Sequence, residues 1–170
     1  MKKLSWEQAE KVIEDLSNKI KASGFVPDYI IGVTTGGLIP LYFLAKKLDD
    51  INNILTISAT SYDKDRKKDL RIIYLPKVDL SGKNVLLVDE IVETGDTLKK
   101  ISEIIVNQYK VGELKTATLG ANTDKCRFYP DFYVIEEKGE WVVFPWENDD
   151  FPEYFKKDSS DQDGSKVNQN

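Results

Sequence analysis

Val85-Leu-Leu-Val-Asp-Glu-Ile-Val-Glu-Thr-Gly-Asp-Thr-Leu98 is the stretch that decides the fold. Its first four residues are apolar, long enough for a buried strand and too short for a helix. Asp89 and Glu90 follow, so two carboxylates stand at the C-terminal end of that strand, where open α/β sheets hold their ligands. Glu93-Thr94-Gly95-Asp96-Thr97 then reads as a tight turn in which Gly95 is free to take positive φ. Leu98, Ile101, Ile104 and Ile105 recur at helical spacing, which starts a helix near Thr97. Exposed N–H groups and two hydroxyls at such a start make a pocket for one phosphate.

The same alternation extends outward in both directions. Upstream, Tyr29-Ile-Ile-Gly-Val33 reads as a strand, Thr34-Thr35-Gly36-Gly37 as a turn, and 38–48 as a helix with Pro40 tolerated in its first turn. Residues 54–60 form a second strand, after which Ser61-Tyr62-Asp-Lys-Asp-Arg-Lys-Lys-Asp69 is a charge run with the look of a solvated loop. Nearer the N-terminus, Ser5-Trp-Glu-Gln8 is a capping box. The stripe Ala9, Val12, Ile13, Leu16 and Ile20 behind it is closed by Gly24. Downstream, the central helix ends near Tyr109-Lys-Val-Gly112, and strands are expected over 114–121 and 132–135. Strands alternating with helices over short connections predict an α/β fold, a doubly wound and mostly parallel sheet. One domain over 1–157 is expected, with a disordered polar tail over 158–170.

Composition narrows the function classes. A net charge of -5 argues against a nucleic-acid partner, which needs a basic face. No apolar run reaches membrane-spanning length, and the start of the chain lacks the apolar segment of a signal peptide. With a single cysteine, Cys126, a cytoplasmic location is expected. The chain contains no histidine, which excludes Ser-His-Asp and Cys-His catalysis and every histidine-ligated metal site. Acid–base work falls to carboxylates, Lys or Tyr, and the metal to expect is Mg²⁺, held mostly by substrate oxygens.

An acid pair, a short spacer and Thr-Gly-x-Thr at a helix start can hold a ribose 5-phosphate, hydroxyls on the acids and phosphate in the turn. The stretch resembles the phosphoribosyl pyrophosphate (PRPP) motif of type I phosphoribosyltransferases. Three weaker similarities follow in the same order along 29–147. Thr34, Thr35, Gly36 and Gly37 lie where the family has its pyrophosphate loop. Ser61-Tyr62 resembles the pair that opens the flexible loop of 6-oxopurine enzymes. Trp141-Val-Val-Phe-Pro-Trp-Glu147 resembles the purine-binding segment of the xanthine–guanine type, within a hood over about 122–150.

The resemblance implies a purine phosphoribosyltransferase of the purine-salvage type. A base and PRPP would give a nucleoside 5′-monophosphate and pyrophosphate with Mg²⁺, in a homodimer or homotetramer. Asp89 and Glu90 would hold the ribose hydroxyls and, directly or through water, the metal. Glu93, Thr94, Gly95, Asp96 and Thr97 would hold the 5′-phosphate, and Glu93 would also handle the proton at purine N7. Trp141 would stack on the base, with the Val142 backbone and the Glu147 carboxylate at its edge.

Glu93 stands where the resembled enzymes have Asp and keeps the carboxylate, and two other positions depart further from the pattern. Thr35 stands where a basic residue is usual. Asn122 stands where 6-oxopurine enzymes carry a lysine that reads the 6-oxo group, with Lys125 three residues on. The amide of Asn122 can donate to a 6-oxo group or accept from a 6-amino group. A 6-oxopurine is the preferred substrate, and adenine is the alternative. A regulatory protein that binds PRPP or a nucleotide, with little catalysis, is a further one.

Overall fold

The computed structural model describes residues 2–49, 51–64, 67–140 and 142–148, apart from the side chains of 61–69. In chain order the elements are β1 (Lys2–Lys3), α1 (Trp6–Ala22), β2 (Tyr29–Thr34), α2 (Leu38–Lys47), β3 (Ile54–Lys64) and β4 (Lys67–Tyr74). β5 (Asn84–Val92), α3 (Asp96–Tyr109), β6 (Glu113–Asn122), β7 (Ile135–Glu137), β8 (Val142–Val143) and a 3₁₀ turn (Pro145–Glu147) follow.

β5 is apolar on both faces because both are covered. Leu86 and Val88 point with Ile30, Ala117 and Leu119 into a core completed by Ile13 and Leu16 of α1 and Leu41 and Leu44 of α2. Val85 and Leu87 point the other way, with Ile31, Val33 and Ile57, onto Leu98, Ile101 and Ile105 of α3. Each fully buried aliphatic side chain of this kind contributes about 1.5–3 kcal/mol. The α1 start is capped as its sequence predicts. Ser5 Oγ accepts from the Gln8 N–H at 3.2 Å, and Gln8 Oε1 accepts from the Ser5 N–H at 2.8 Å.

The main sheet has the order β4-β3-β2-β5-β6-β7 and is parallel except for β4, which runs antiparallel to β3. The chain leaves β2 toward β3 and leaves β5 toward β6, in opposite directions. The order therefore switches between β2 and β5, and the loops at their C-terminal ends part to form a crevice. Both glycine-bearing turns singled out in the sequence lie there.

Three features differ from the sequence expectation. Strand pairing continues through the charge run, from Ser61 opposite Leu70 to Lys64 opposite Lys67. Ser61 and Tyr62 thus stand on a strand, because two antiparallel arms pair their backbone groups whatever the charge of their side chains. The last main-sheet strand begins at Ile135, while Phe132 makes only an isolated bridge to Ala117. Pro130 has no N–H to donate. The Asp131 carboxylate takes the Thr116 N–H and hydroxyl, both at 2.8 Å, in place of a ladder partner. Lastly, β1 pairs in parallel with β8, Lys2 opposite Val142, a contact between chain ends that two-residue strands carry no period to announce. Among the described residues, no helix is long and apolar enough to cross a membrane.

Candidate active site

At the end of β5, Asp89 lines a pocket with Glu93, Thr94, Gly95, Asp96 and Thr97. Glu90 faces the other turn. A Cβ built on Gly36 would fall on the Glu90 carboxylate, so only glycine lets this acid lie against the loop after β2. Burial, then the charge of Glu90, holds the Asp89 carboxyl well above the usual carboxylate range. Burial also pushes Glu90 up, with the Glu147 charge adding and the hydrogen bond to Asp89 opposing. Glu90 Oε2 is buried without a hydrogen-bond partner among the described residues. An adjacent acid pair with an unpartnered oxygen suits a hard cation such as Mg²⁺. Among the described residues no three His, Cys, Asp or Glu side chains gather to hold a metal, so substrate oxygens would complete its shell.

The turn after β5 is set by Gly95, at φ +87°, where a Cβ would run into the backbone and side chain of Phe128. Gly95 gives α3 no side-chain cap of its own, and the Asp96 N–H donates to the Thr94 hydroxyl oxygen at 3.4 Å. The Thr94 hydroxyl donates to Asp96 Oδ2 at 3.0 Å. In the turn after β2, the Gly37 N–H bonds to the Val33 carbonyl at 2.8 Å, and the Thr34–Thr35 peptide is cis. Thr35 is exposed there, with no side chain capping α2.

A third segment, 123–128, folds over the turn after β5. Lys125 Nζ meets Glu93 Oε1 at 2.8 Å, and the Arg127 N–H donates to the Thr94 carbonyl at 3.0 Å. The Arg127 guanidinium reaches Asp96 Oδ2 at 3.4 Å. The hydrogen bond and charge of Glu93 hold the Lys125 ammonium above its ordinary value. Asn122, buried at the end of β6, accepts through Oδ1 from the N–H groups of Asp124 at 3.1 Å and Lys125 at 3.0 Å. Its amide nitrogen alone is left for other work.

Beyond these, the Val142 N–H donates to Glu137 Oε1 at 2.7 Å, and the Phe144 N–H donates to Glu147 Oε2 at 2.7 Å. Trp146 stacks on Phe144, with centroids 4.9 Å apart, and packs against Trp6, which makes it part of the scaffold. Trp141, the side chains of Ser61 and Tyr62, and the tail from 158 lie outside the described residues. Sequence reasoning missed Arg127 and Glu137. A signal for Glu137 was present, since Val134-Ile-Glu-Glu137 repeats the apolar run into two acids that marks the end of β5.

Comparison with known proteins agrees with this geometry. The family profile described as "Phosphoribosyl transferase domain" matches residues 4–150. A xanthine-guanine phosphoribosyltransferase from Desulfotalea psychrophila is 30% identical, with 86% of each chain covered. One from Cereibacter sphaeroides is 28% identical, with 85% of each chain covered. The solved purine phosphoribosyltransferase of Pyrococcus horikoshii superposes with a TM-score of 0.74 at 34% identity, covering 85% of this chain and 92% of that one. With strand, acid pair, glycine turn and helix laid out at the switch point of the sheet, the chain belongs to the phosphoribosyltransferase family, as a type I purine member close to the xanthine–guanine branch.

Proposed function

We propose that the protein transfers the 5-phosphoribosyl group of PRPP to a 6-oxopurine base, giving the nucleoside 5′-monophosphate and pyrophosphate. The observation that carries the choice of base is the commitment of Asn122 Oδ1 to two backbone N–H groups. The amide offers only its NH₂ to a ligand, and Lys125 beside it is a donor too. Two donors and no free acceptor complement a 6-oxo group and leave a 6-amino group unpaired, a mismatch a polar site penalises strongly.

In the reaction, the base N9–C1′ bond forms as the C1′–O bond to pyrophosphate breaks. The electron pair of the broken bond departs with the pyrophosphate, and the N7 proton passes to Glu93. The turn Glu93–Thr97 holds the 5′-phosphate, through first-turn N–H groups of α3 and the hydroxyls of Thr94 and Thr97. Asp89 and Glu90 orient the ribose hydroxyls from two sides of the crevice. Asp89 and Glu90 would hold Mg²⁺, which would supply neutralisation of the leaving charge. The turn at Thr35 contributes N–H groups and no positive charge.

Product formation from PRPP and Mg²⁺ with hypoxanthine, guanine, xanthine and adenine in parallel tests this reading. Turnover of a 6-oxopurine, lost when Lys125 is replaced by Met, is the expected result. Turnover of adenine alone would reverse the assignment of Asn122. No turnover with any base, alongside PRPP binding, would favour a regulatory protein. Asp89→Asn with Glu90→Gln is expected to weaken PRPP binding, and unchanged affinity would remove both acids from the ribose site.

A further inference from the structure

Glu137 ends the last strand of the main sheet, opposite Asn122 in register. It is 2% exposed. Its backbone carbonyl accepts from the Thr123 N–H at 2.9 Å and from the Thr123 hydroxyl at 3.1 Å. Those bonds pin the start of the turn that carries Lys125 and, through its two N–H groups, fixes the Asn122 amide. Its side chain makes a separate bond, in which Oε1 accepts from the Val142 N–H. That bond fixes the start of the segment 142–147. The other oxygen, Oε2, is buried and has no partner among the described residues.

One residue therefore links the turn after β6, through its backbone, to the segment from Val142, through its side chain. Glu93 and Glu147 lie close enough to raise the proton affinity of Glu137 and Lys125 close enough to lower it. Burial outweighs the rest and raises its proton affinity, and a glutamine amide would keep an acceptor for the Val142 N–H. A buried carboxyl with one unpaired oxygen is rare where shape alone matters, because an apolar side chain would fill the space without an orphaned polar atom.

We propose that Glu137 is a positioning residue that sets the distance between the Asn122–Lys125 turn and the segment beginning at Val142, and through that distance determines affinity for the purine base but not for the phosphoribosyl group. The proposal rests on the reading of these two segments as the base site. Its test is calorimetric titration of the full chain with guanosine 5′-monophosphate and with ribose 5-phosphate, in the parent, Glu137→Leu and Glu137→Gln. Glu137→Leu is expected to weaken the nucleotide about tenfold or more while ribose 5-phosphate stays within about twofold, which also shows that the variant folds. Glu137→Gln, whose amide oxygen still accepts from Val142, is expected to restore the nucleotide to within about threefold of the parent. Unchanged nucleotide affinity in Glu137→Leu would overturn the proposal, and so would an equal loss for both ligands or a failure of glutamine to rescue. A parent that binds the nucleotide no tighter than ribose 5-phosphate would instead overturn the base-site reading, before any substitution is made.

Discussion

Single residues in this site are defined by what they touch. Glu93 has its carboxylate on Lys125 and its backbone in the turn that lines the pocket, so the proton transfer and phosphate binding proposed for them separate by substitution. Glu93→Gln is expected to lower kcat by about 10²–10⁴, the usual worth of a positioned acid–base group, with the KM for PRPP little changed. Steady-state kinetics check it, and an undiminished kcat would remove Glu93 from the chemistry. Gly36 is the counterpart across the crevice. Gly36→Ala places a methyl group where the Glu90 carboxylate lies, and the acid must move. PRPP affinity is expected to fall about tenfold or more, an effect that isothermal titration reads directly. Unaltered affinity would mean that the position of Glu90 does not matter to the ligand.

Elements divide the work between holding and presenting. α1 touches the sheet from outside the crevice, and its capping box serves stability alone. Ser5→Ala is expected to cost about 1 kcal/mol, close to 2–4 °C in melting temperature for a chain of this size, with kcat unchanged. A fall in kcat at temperatures well below melting would show that α1 reaches the site after all. β2 and β5 present, since each ends in a turn with helix N–H groups behind it. The 123–128 turn clasps the turn after β5, with Lys125 on Glu93, Arg127 on Asp96 and Phe128 against Gly95.

At the scale of the whole molecule, the carboxyls of Asp89, Glu90 and Glu137 all sit above their ordinary values, in each case chiefly through burial. A group raised on folding binds its proton more tightly in the native state than in the unfolded chain. Its contribution is complete below the unfolded pKa, about 4, and is lost as pH rises through the raised native value. Stability is therefore expected to decline from mildly acidic toward neutral pH, measured as the urea midpoint across that range. The triple variant Asp89→Asn, Glu90→Gln, Glu137→Gln should flatten the decline. An equally steep curve in the variant would place the pH dependence elsewhere.

Local pattern was enough for the frame. Four apolar residues before two acids, a glycine turn and a helical stripe specify β5, its turn and α3, because each rests on a period or a φ preference that neighbouring residues settle among themselves. The capping box of α1 was legible for the same reason. What tertiary structure decided was pairing between segments distant in the chain. The antiparallel course of the charge run, the displacement of the last strand by Asp131 on Thr116 and the β1–β8 ladder belong there. So does the choice at Asn122. Its amide is ambiguous in the sequence, and only the fold of the following turn, with two N–H groups converging on Oδ1, leaves it a donor. The acid pair that ends in Glu137 was visible in the sequence, but its burial was not, because a buried carboxyl differs from a solvated one only in its surroundings, and those come from β6 and β8.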